Sequence, residues 1–392
     1  MKKSIAILAI SLATSLILGA CAQNAATPAP TSQPQIVEVT RVVQGTTVVE
    51  TVEVTVVAPE STQGPAAGSL SMNGAGATFP YPLYSRWFYE YAFIDPTVKF
   101  NYQSIGSGGG IRQITEKTVD FAGSDAILND EQLAAAPGVQ MFPSVAGAVV
   151  PTYNVSDLTD QAALVLDSEA ITNIFLGNIT KWNDPAIAAL NPNLTLPDKD
   201  IIVVHRSDGS GTTFIFTSYL SAVSDDWNNN VGASSSVEWP VGLGGKGNEG
   251  VAGTVSQNDG SIGYVELAYA HQNNLPIANL VNAAGNTVEP TLETTQNAMA
   301  DFGGEMPDTL ARLIVNAPGD NSWPIAGYTY LLAYMDQTDC AKGKELINFI
   351  HWALTDGSQF ASDLEYVPLP DNVRQLVFDK LDQMTCNGQP IQ

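Results

Sequence analysis

Positive charge, histidine and cysteine are all scarce in this chain. Its 392 residues hold 16 Lys and Arg against 40 Asp and Glu, with three histidines and three cysteines, for a formal net charge of −24. An acidic surface is a poor partner for nucleic acid, whose binding depends on Lys and Arg neutralising phosphates. With only His205, His271 and His351, and neither Cys-x-x-Cys nor His-Glu-x-x-His, the usual ligands of a transition-metal centre are missing. No metal is expected. The chain has no Gly-x-Ser-x-Gly elbow, so a hydrolytic triad has little support. No loop ends in Gly-Lys-Ser/Thr, and after Gly106 and Gly108 the position for a third glycine is Ile111. A bound nucleotide is therefore disfavoured, and no cofactor is expected.

The acid excess also repels a small anion at long range, although salt screens exposed charges beyond about 8 Å at physiological ionic strength. Any affinity for an anion must be local and enclosed. At 44% hydrophobic and 14% charged residues, the composition suits a packed core, and the length exceeds one ordinary domain, so two lobes are expected.

Near the N-terminus, Lys2 and Lys3 precede an apolar run from Ile5 to Leu18, the pattern of an export signal over residues 1–20. Leu18-Gly19-Ala20-Cys21 resembles the bacterial lipobox, in which the Cys becomes the lipidated first residue; a membrane anchor through Cys21, facing the periplasm or the cell exterior, is expected. Cys340 and Cys386 remain, both late in an exported chain, and a structural disulfide between them fits an oxidising compartment. Residues 21–69 turn to Thr, Val, Pro, Gln and Ala, with Val37-Glu38-Val39-Thr40 and Val52-Glu53-Val54-Thr55 repeating. This stretch reads as a tether, an extended spacer rather than part of the fold, although its alternation is also compatible with a strand.

From Leu70 onward three loops set small residues against the start of an expected helix: Gly74 to Pro80 (Gly-Ala-Gly-Ala-Thr-Phe-Pro), Gly106 to Gly110 (Gly-Ser-Gly-Gly-Gly), and Arg206 to Thr213 (Arg-Ser-Asp-Gly-Ser-Gly-Thr-Thr). The first N–H groups of a helix have no partner within it and carry partial positive charge, so an anion can accept from them. Ser and Thr hydroxyls add donors that rotate, Arg206 adds a full charge and a fork of N–H groups, and Asp125 in Gly-Ser-Asp stands apart as an acceptor.

Strand-like Val98 to Tyr102 precedes the second loop, with Ile111, Ile114 and Val119 expected on the helix after it. Ile201 to Val204 precedes the third, with a helix from Thr212 to about Val223. This alternation argues for α/β lobes. Apolar runs at Val145 to Val150 and Tyr328 to Tyr334 mark the expected crossings, and a helix is expected from Lys342 to Thr355. The expected arrangement is a discontinuous lobe 1 (residues 70–145 and 324–392), a continuous lobe 2 (146–323), and a ligand cleft between them. His205, at a strand end beside Arg206, points away from it by alternation and is read as structural.

Taken together, the three loops, Tyr102 to Gly110, Val119 to Ala126, Trp239 to Gly247 and Ile262 to Glu266 resemble the phosphate-binding proteins of bacterial phosphate ABC transporters. The resemblance covers the chain from about Leu70. It implies a two-lobed periplasmic-binding-protein type II fold that closes on one inorganic phosphate and delivers it to membrane permease subunits, as a monomer and without catalysis. Carried over residue by residue, it places ligand contacts at Ala77, Thr78, Phe79, Ser107, Asp125, Arg206, Ser210, Gly211 and Thr212. Asp208 is expected to steady Arg206. Trp239 and Gly242 to Gly247 are read as a structural loop with no contact to ligand, and Lys246 as a solvated charge.

Phosphate near neutral pH keeps a proton that sulfate lacks, so an ionised Asp125 accepts a hydrogen bond from phosphate alone. A site built around a ligand O–H rejects an analogue lacking it by about 10⁴ to 10⁵. The rival reading from another class is a secreted phosphatase using the same cage, with His205 or Asp125 as base. A surface adhesion protein would account for the tether but not for the three donor loops.

Overall fold

The computed structural model describes residues 36–43, 46–53, 70–159, 161–302 and 306–391. The export signal, Cys21 and much of the tether lie outside them. The chain divides into two compact units, Met1–Gly64 and Pro65–Gln392. In the first, β1 (Ile36–Val43) pairs antiparallel with β2 (Thr46–Glu53), setting Val37 opposite Val52 and Val39 opposite Glu50. The alternation of Val with Glu and Thr has the period of a strand, and here it takes that form.

The second unit is built on a nine-stranded sheet. Its first half holds β3 (Leu70–Gly76), β4 (Val98–Ser104) and β5 (Phe121–Ser124), with β3 parallel to both neighbours. Helix α1 (Tyr81–Ile94) joins β3 to β4, and α2 (Ser107–Thr115) joins β4 to β5. Strand β6 (Val139–Asn154) is long and almost wholly buried. The second half holds β7 (Ile202–Arg206), α3 (Gly211–Val223), β8 (Leu243–Gly245), α4 (Gly247–Gln257) and β9 (Ser261–Glu266), with β7 parallel to both β8 and β9. Strand β10 (Ala326–Tyr334) and the short β11 (Val367–Pro368) complete the sheet. The order is β4-β3-β5-β10-β6-β9-β7-β8, with β11 against β6.

This topology explains how two halves share one sheet. β6 pairs with β10 along Val139 to Ala148 and with β9 along Val149 to Asn154, both antiparallel, so one continuous strand belongs to each half in turn. The runs read in sequence as separate crossings are neighbours in this central pair, where Thr329 faces Val145. In each parallel half the loop after a strand's C-terminal end opens a helix, the position where open α/β sheets place ligands.

Each half carries its own aromatic core. Phe100 of β4 meets Phe349 at 4.4 Å between ring centroids and Phe88 at 5.0 Å, and Trp87 donates its indole N–H to the Gly357 carbonyl at 2.8 Å. Phe349 lies on α5 (Cys340–Leu354), so the C-terminal segment packs against the first half. In the second half, Phe216 stacks on Tyr264 at 4.3 Å, with Phe175 and Trp239 beside them. Cys340 opens α5 and is joined to Cys386 by a disulfide, with Cα atoms 5.3 Å apart.

Element ends differ from the sequence reading in small ways. Val119 falls beyond α2, because the helix ends at Thr115 and Lys117 takes a left-handed conformation at φ 56°. β7 runs on through His205 and Arg206, and α5 starts two residues before Lys342, where Asp339 accepts from the Ala341 and Lys342 amides. Among the described residues no helix is long and apolar enough to cross a membrane.

Candidate anion-binding site

Four helix N-termini meet where the two halves face each other. α1 and α2 begin at Tyr81 and Ser107 without a side-chain cap, whereas at α3 the Ser210 hydroxyl accepts from the Thr213 amide at 3.0 Å and at α4, which begins at Gly247, Thr78 Oγ1 accepts from the Asn248 amide at 3.2 Å. Among the described residues the amides of Thr78, Phe79, Ser107 and Thr212 have no acceptor. Backbone donors left this way inside a protein are costly unless a ligand or water uses them. Their positive ends converge, which favours an anion.

A continuous network ties the sequence-derived residues together. Arg206, only 3% exposed, donates Nε to Asp208 Oδ1 at 2.8 Å and Nη2 to Asp208 Oδ2 at 2.6 Å, a bidentate pair that fixes the plane of the guanidinium. Its Nη1 reaches the Thr212 hydroxyl at 3.4 Å. Asp208 thus takes the supporting position expected of it, and it also accepts from the Gly247 amide at 3.0 Å.

On the other side, Gly211 N–H donates to Ser107 Oγ at 3.0 Å, and Ser107 Oγ donates to Asp125 Oδ2 at 3.4 Å. A Cβ at position 211 would stand 2.4 Å from Asp125 Oδ2 and 2.6 Å from Ser107 Oγ, so only glycine lets α3 approach the carboxylate this closely. Gly108 N–H also donates to the Gly209 carbonyl at 2.9 Å, bringing the second and third loops into direct contact.

Asp125 is the one acid of the group that no cation pairs with directly. Thr329 donates to its Oδ1 at 2.7 Å, leaving Oδ2 toward Ser107 and Gly211. Burial pushes this carboxyl up to about 7, opposed by the Thr329 bond, the Arg206 charge and Ser107. It therefore changes charge near neutral pH.

The Ala77 amide donates to the Gly123 carbonyl at 2.9 Å, so the first-loop amides without an acceptor are those of Thr78 and Phe79. Asn248, the residue after Gly247, joins the network: its Nδ2 donates to Thr78 Oγ1 at 2.7 Å and to Thr212 Oγ1 at 3.2 Å, while its Oδ1 accepts from the Glu266 amide. Gly242, Gly244 and Gly247 carry the Gly-x-Gly-x-x-Gly spacing that the Gly106 loop lacks, and they bring α4 to this position. Lys246 is exposed, as expected. His205 stacks on Trp239 at 4.8 Å with Nδ1 3.0 Å from the Arg206 carbonyl, a packing role. Asn248 and Thr329 are the residues that sequence reasoning missed. Only the Asn following the Gly-rich run hinted at the first, and nothing local pointed to the second.

Residues 59–356 match the model of the PBP superfamily domain. The chain is 48% identical to the phosphate-binding protein PstS of Pasteurella multocida over 307 residues, which is 78% of this chain and 88% of that protein. The chain belongs to the PstS family of phosphate-binding proteins. PstS of Haemophilus influenzae is 46% identical, covering 79% of this chain and 92% of its own length. Among solved structures, the phosphate-binding protein from Stenotrophomonas maltophilia superposes with a TM-score of 0.59 at 20% identity, covering 79% of this chain and 93% of that one. The two-lobed α/β fold of such phosphate-binding proteins is the fold of this chain.

Proposed function

We propose that this chain binds one inorganic phosphate outside the cytoplasm and delivers it to the permease of an ABC transporter. The observation that carries this reading is the set of amides without an acceptor, Thr78 and Phe79 in the first loop and Ser107 and Thr212 at helix starts, together with Arg206 and the buried carboxylate of Asp125. The named relatives, phosphate-binding PstS proteins, support it.

In this reading Thr78, Phe79, Ser107, Arg206, Ser210 and Thr212 donate to the phosphate oxygens, Gly211 lets α3 approach them closely, and Asp125 accepts from the ligand's proton. Charge-assisted bonds of this kind contribute roughly 1.5 to 3 kcal/mol each against the cost of stripping water from the anion. Donors come from both halves, so ligand favours the closed arrangement of lobe 1 (70–145 and 324–392) on lobe 2 (146–323), and the permease recognises that closure. The chain acts as a monomer, tethered by residues 21–69 to a lipid on Cys21, and it carries its ligand without turning it over.

One titration series tests this. Phosphate and arsenate, which share shape and proton, compete for one site, and sulfate does not. Incubated with a phosphate ester, the protein releases no phosphate beyond a stoichiometric amount. Steady release, or equal affinity for sulfate, overturns the reading.

A further inference from the structure

Behind the first loop lies a buried array of hydroxyls. Tyr102 donates to the Ala77 carbonyl at 3.0 Å, Tyr269 to the Thr78 carbonyl at 2.6 Å, and Tyr366 to the Phe79 carbonyl at 2.7 Å. Three tyrosines from three distant segments thus hold three consecutive carbonyls. A carbonyl and the following N–H belong to one rigid peptide plane, so fixing and polarising the first aims and strengthens the second. The planes held by Tyr102 and Tyr269 are those of the Thr78 and Phe79 amides. The plane held by Tyr366 leads into Pro80, which has no N–H, and serves as the anchor of the loop.

Tyr366 has a second neighbour. Its hydroxyl is also 2.9 Å from Glu266 Oε2, yet a phenol has one proton, and the Phe79 carbonyl can only accept. With that proton on Phe79, the contact to Glu266 is a hydrogen bond only if the carboxyl donates. The surroundings agree. Glu266 is fully buried, Oε2 accepts from the Ala268 amide at 3.1 Å, and Oε1 has no partner among the described residues. The charges that bear on it, Glu365 and Asp125, are acids. An ionised carboxylate here would leave one oxygen bare in an apolar interior, the costliest arrangement available to it. Burial likewise drives the acid well above the usual carboxylate range.

We propose that Glu266 is a positioning residue for anion binding: held as a neutral carboxylic acid, it donates to Tyr366, which anchors the first loop at the Phe79 carbonyl and so steadies the Thr78 and Phe79 amides that Tyr102 and Tyr269 aim. Through its own amide to Asn248 Oδ1 it also orients the side chain that bridges Thr78 and Thr212. The inference rests on the phosphate-binding reading only for its affinity arm.

Two measurements test it. The first needs no ligand: in protein labelled with ¹³C at Glu side chains, the Glu266 carboxyl resonance is expected to hold the protonated position from pH 5 to pH 8, and a resonance that titrates as an ordinary carboxylate overturns the proposal. The second compares variants by phosphate titration and by the amide proton shifts of Thr78 and Phe79. Glu266→Gln, whose amide donates to Tyr366 in the same way, is expected to bind within about twofold of the parent and to leave both shifts in place. Tyr366→Phe keeps the ring that packs on Phe79 but is expected to weaken binding by about tenfold and to move both shifts. Equal losses in the two variants, or full affinity in Tyr366→Phe, overturn it. Should the parent fail to bind phosphate, the functional reading falls, while the carboxyl resonance and the amide shifts still decide the role of Glu266.

Discussion

Replacing Asp125 with Asn changes one atom at the point where the account places discrimination between phosphate and sulfate. Thr329 donates to Oδ1 at 2.7 Å, so in the variant the amide oxygen keeps that position and the NH₂ takes the place of Oδ2, beside Ser107 and Gly211. An acceptor facing the ligand becomes a donor. Phosphate loses a charge-assisted bond of roughly 1.5 to 3 kcal/mol, and sulfate, itself an anion, gains one in the same range. At about 1.4 kcal/mol per tenfold, the ratio of the two affinities should shrink by roughly 100- to 20,000-fold. Calorimetric titration at pH 8, where Asp125 is ionised, measures both affinities. An unchanged ratio refutes the assignment of selectivity to this carboxylate.

The same substitution has a signature without ligand. The folded carboxyl titrates at about 7, above its ordinary value of 3.8. Below pH 3.8 both folded and unfolded chains hold the proton and the group contributes no loss. As pH rises, the unfolded chain releases its proton while the folded one keeps it, so stability falls until the folded group also ionises near pH 7. The parent should therefore lose stability relative to Asp125→Asn by about 1.4 kcal/mol per pH unit across that window. Urea midpoints in phosphate-free buffer check this, and a pH-independent difference refutes it.

Three further expectations concern other residues. Asn248→Ala removes the bridge between the Thr78 and Thr212 hydroxyls and should weaken phosphate binding about 30-fold, at roughly 1 kcal/mol for each of its two neutral hydrogen bonds; titration of the variant measures it. Replacing Cys340 and Cys386 together by Ala opens a crosslink spanning 46 residues and should lower stability by about 2 to 4 kcal/mol while leaving phosphate affinity unchanged, read by denaturation and calorimetry. Cys21→Ala should release the protein from membranes into the soluble fraction, and complete retention with membranes contradicts the anchor.

Much of the site was legible because its donors are local. A strand, a small-residue loop and a helix start are written in consecutive residues, and the Arg206–Asp208 pair is two residues apart, so Gly74 to Pro80, Gly106 to Gly110 and Arg206 to Thr213 announced themselves. What stayed hidden depends on partners far apart in the chain. Asn248 meets Thr78 across 170 positions and Thr329 meets Asp125 across 204, and no local pattern encodes such pairs. The bond of the Ala77 amide is hidden for the same reason, since its acceptor at Gly123 lies on a strand 46 residues further on. In the fold, the alternation of strands and helices carried the α/β class, but β6 serving both halves is a matter of pairing between strands, which hydrophobic runs alone do not specify.

The most direct measurement is diffraction from crystals grown with excess inorganic phosphate. The account expects one tetrahedral anion within hydrogen-bond distance of the Thr78, Phe79 and Thr212 amides and the Arg206 guanidinium, with one of its oxygens against Asp125 Oδ2. Density for the anion elsewhere, or none between these groups, contradicts it.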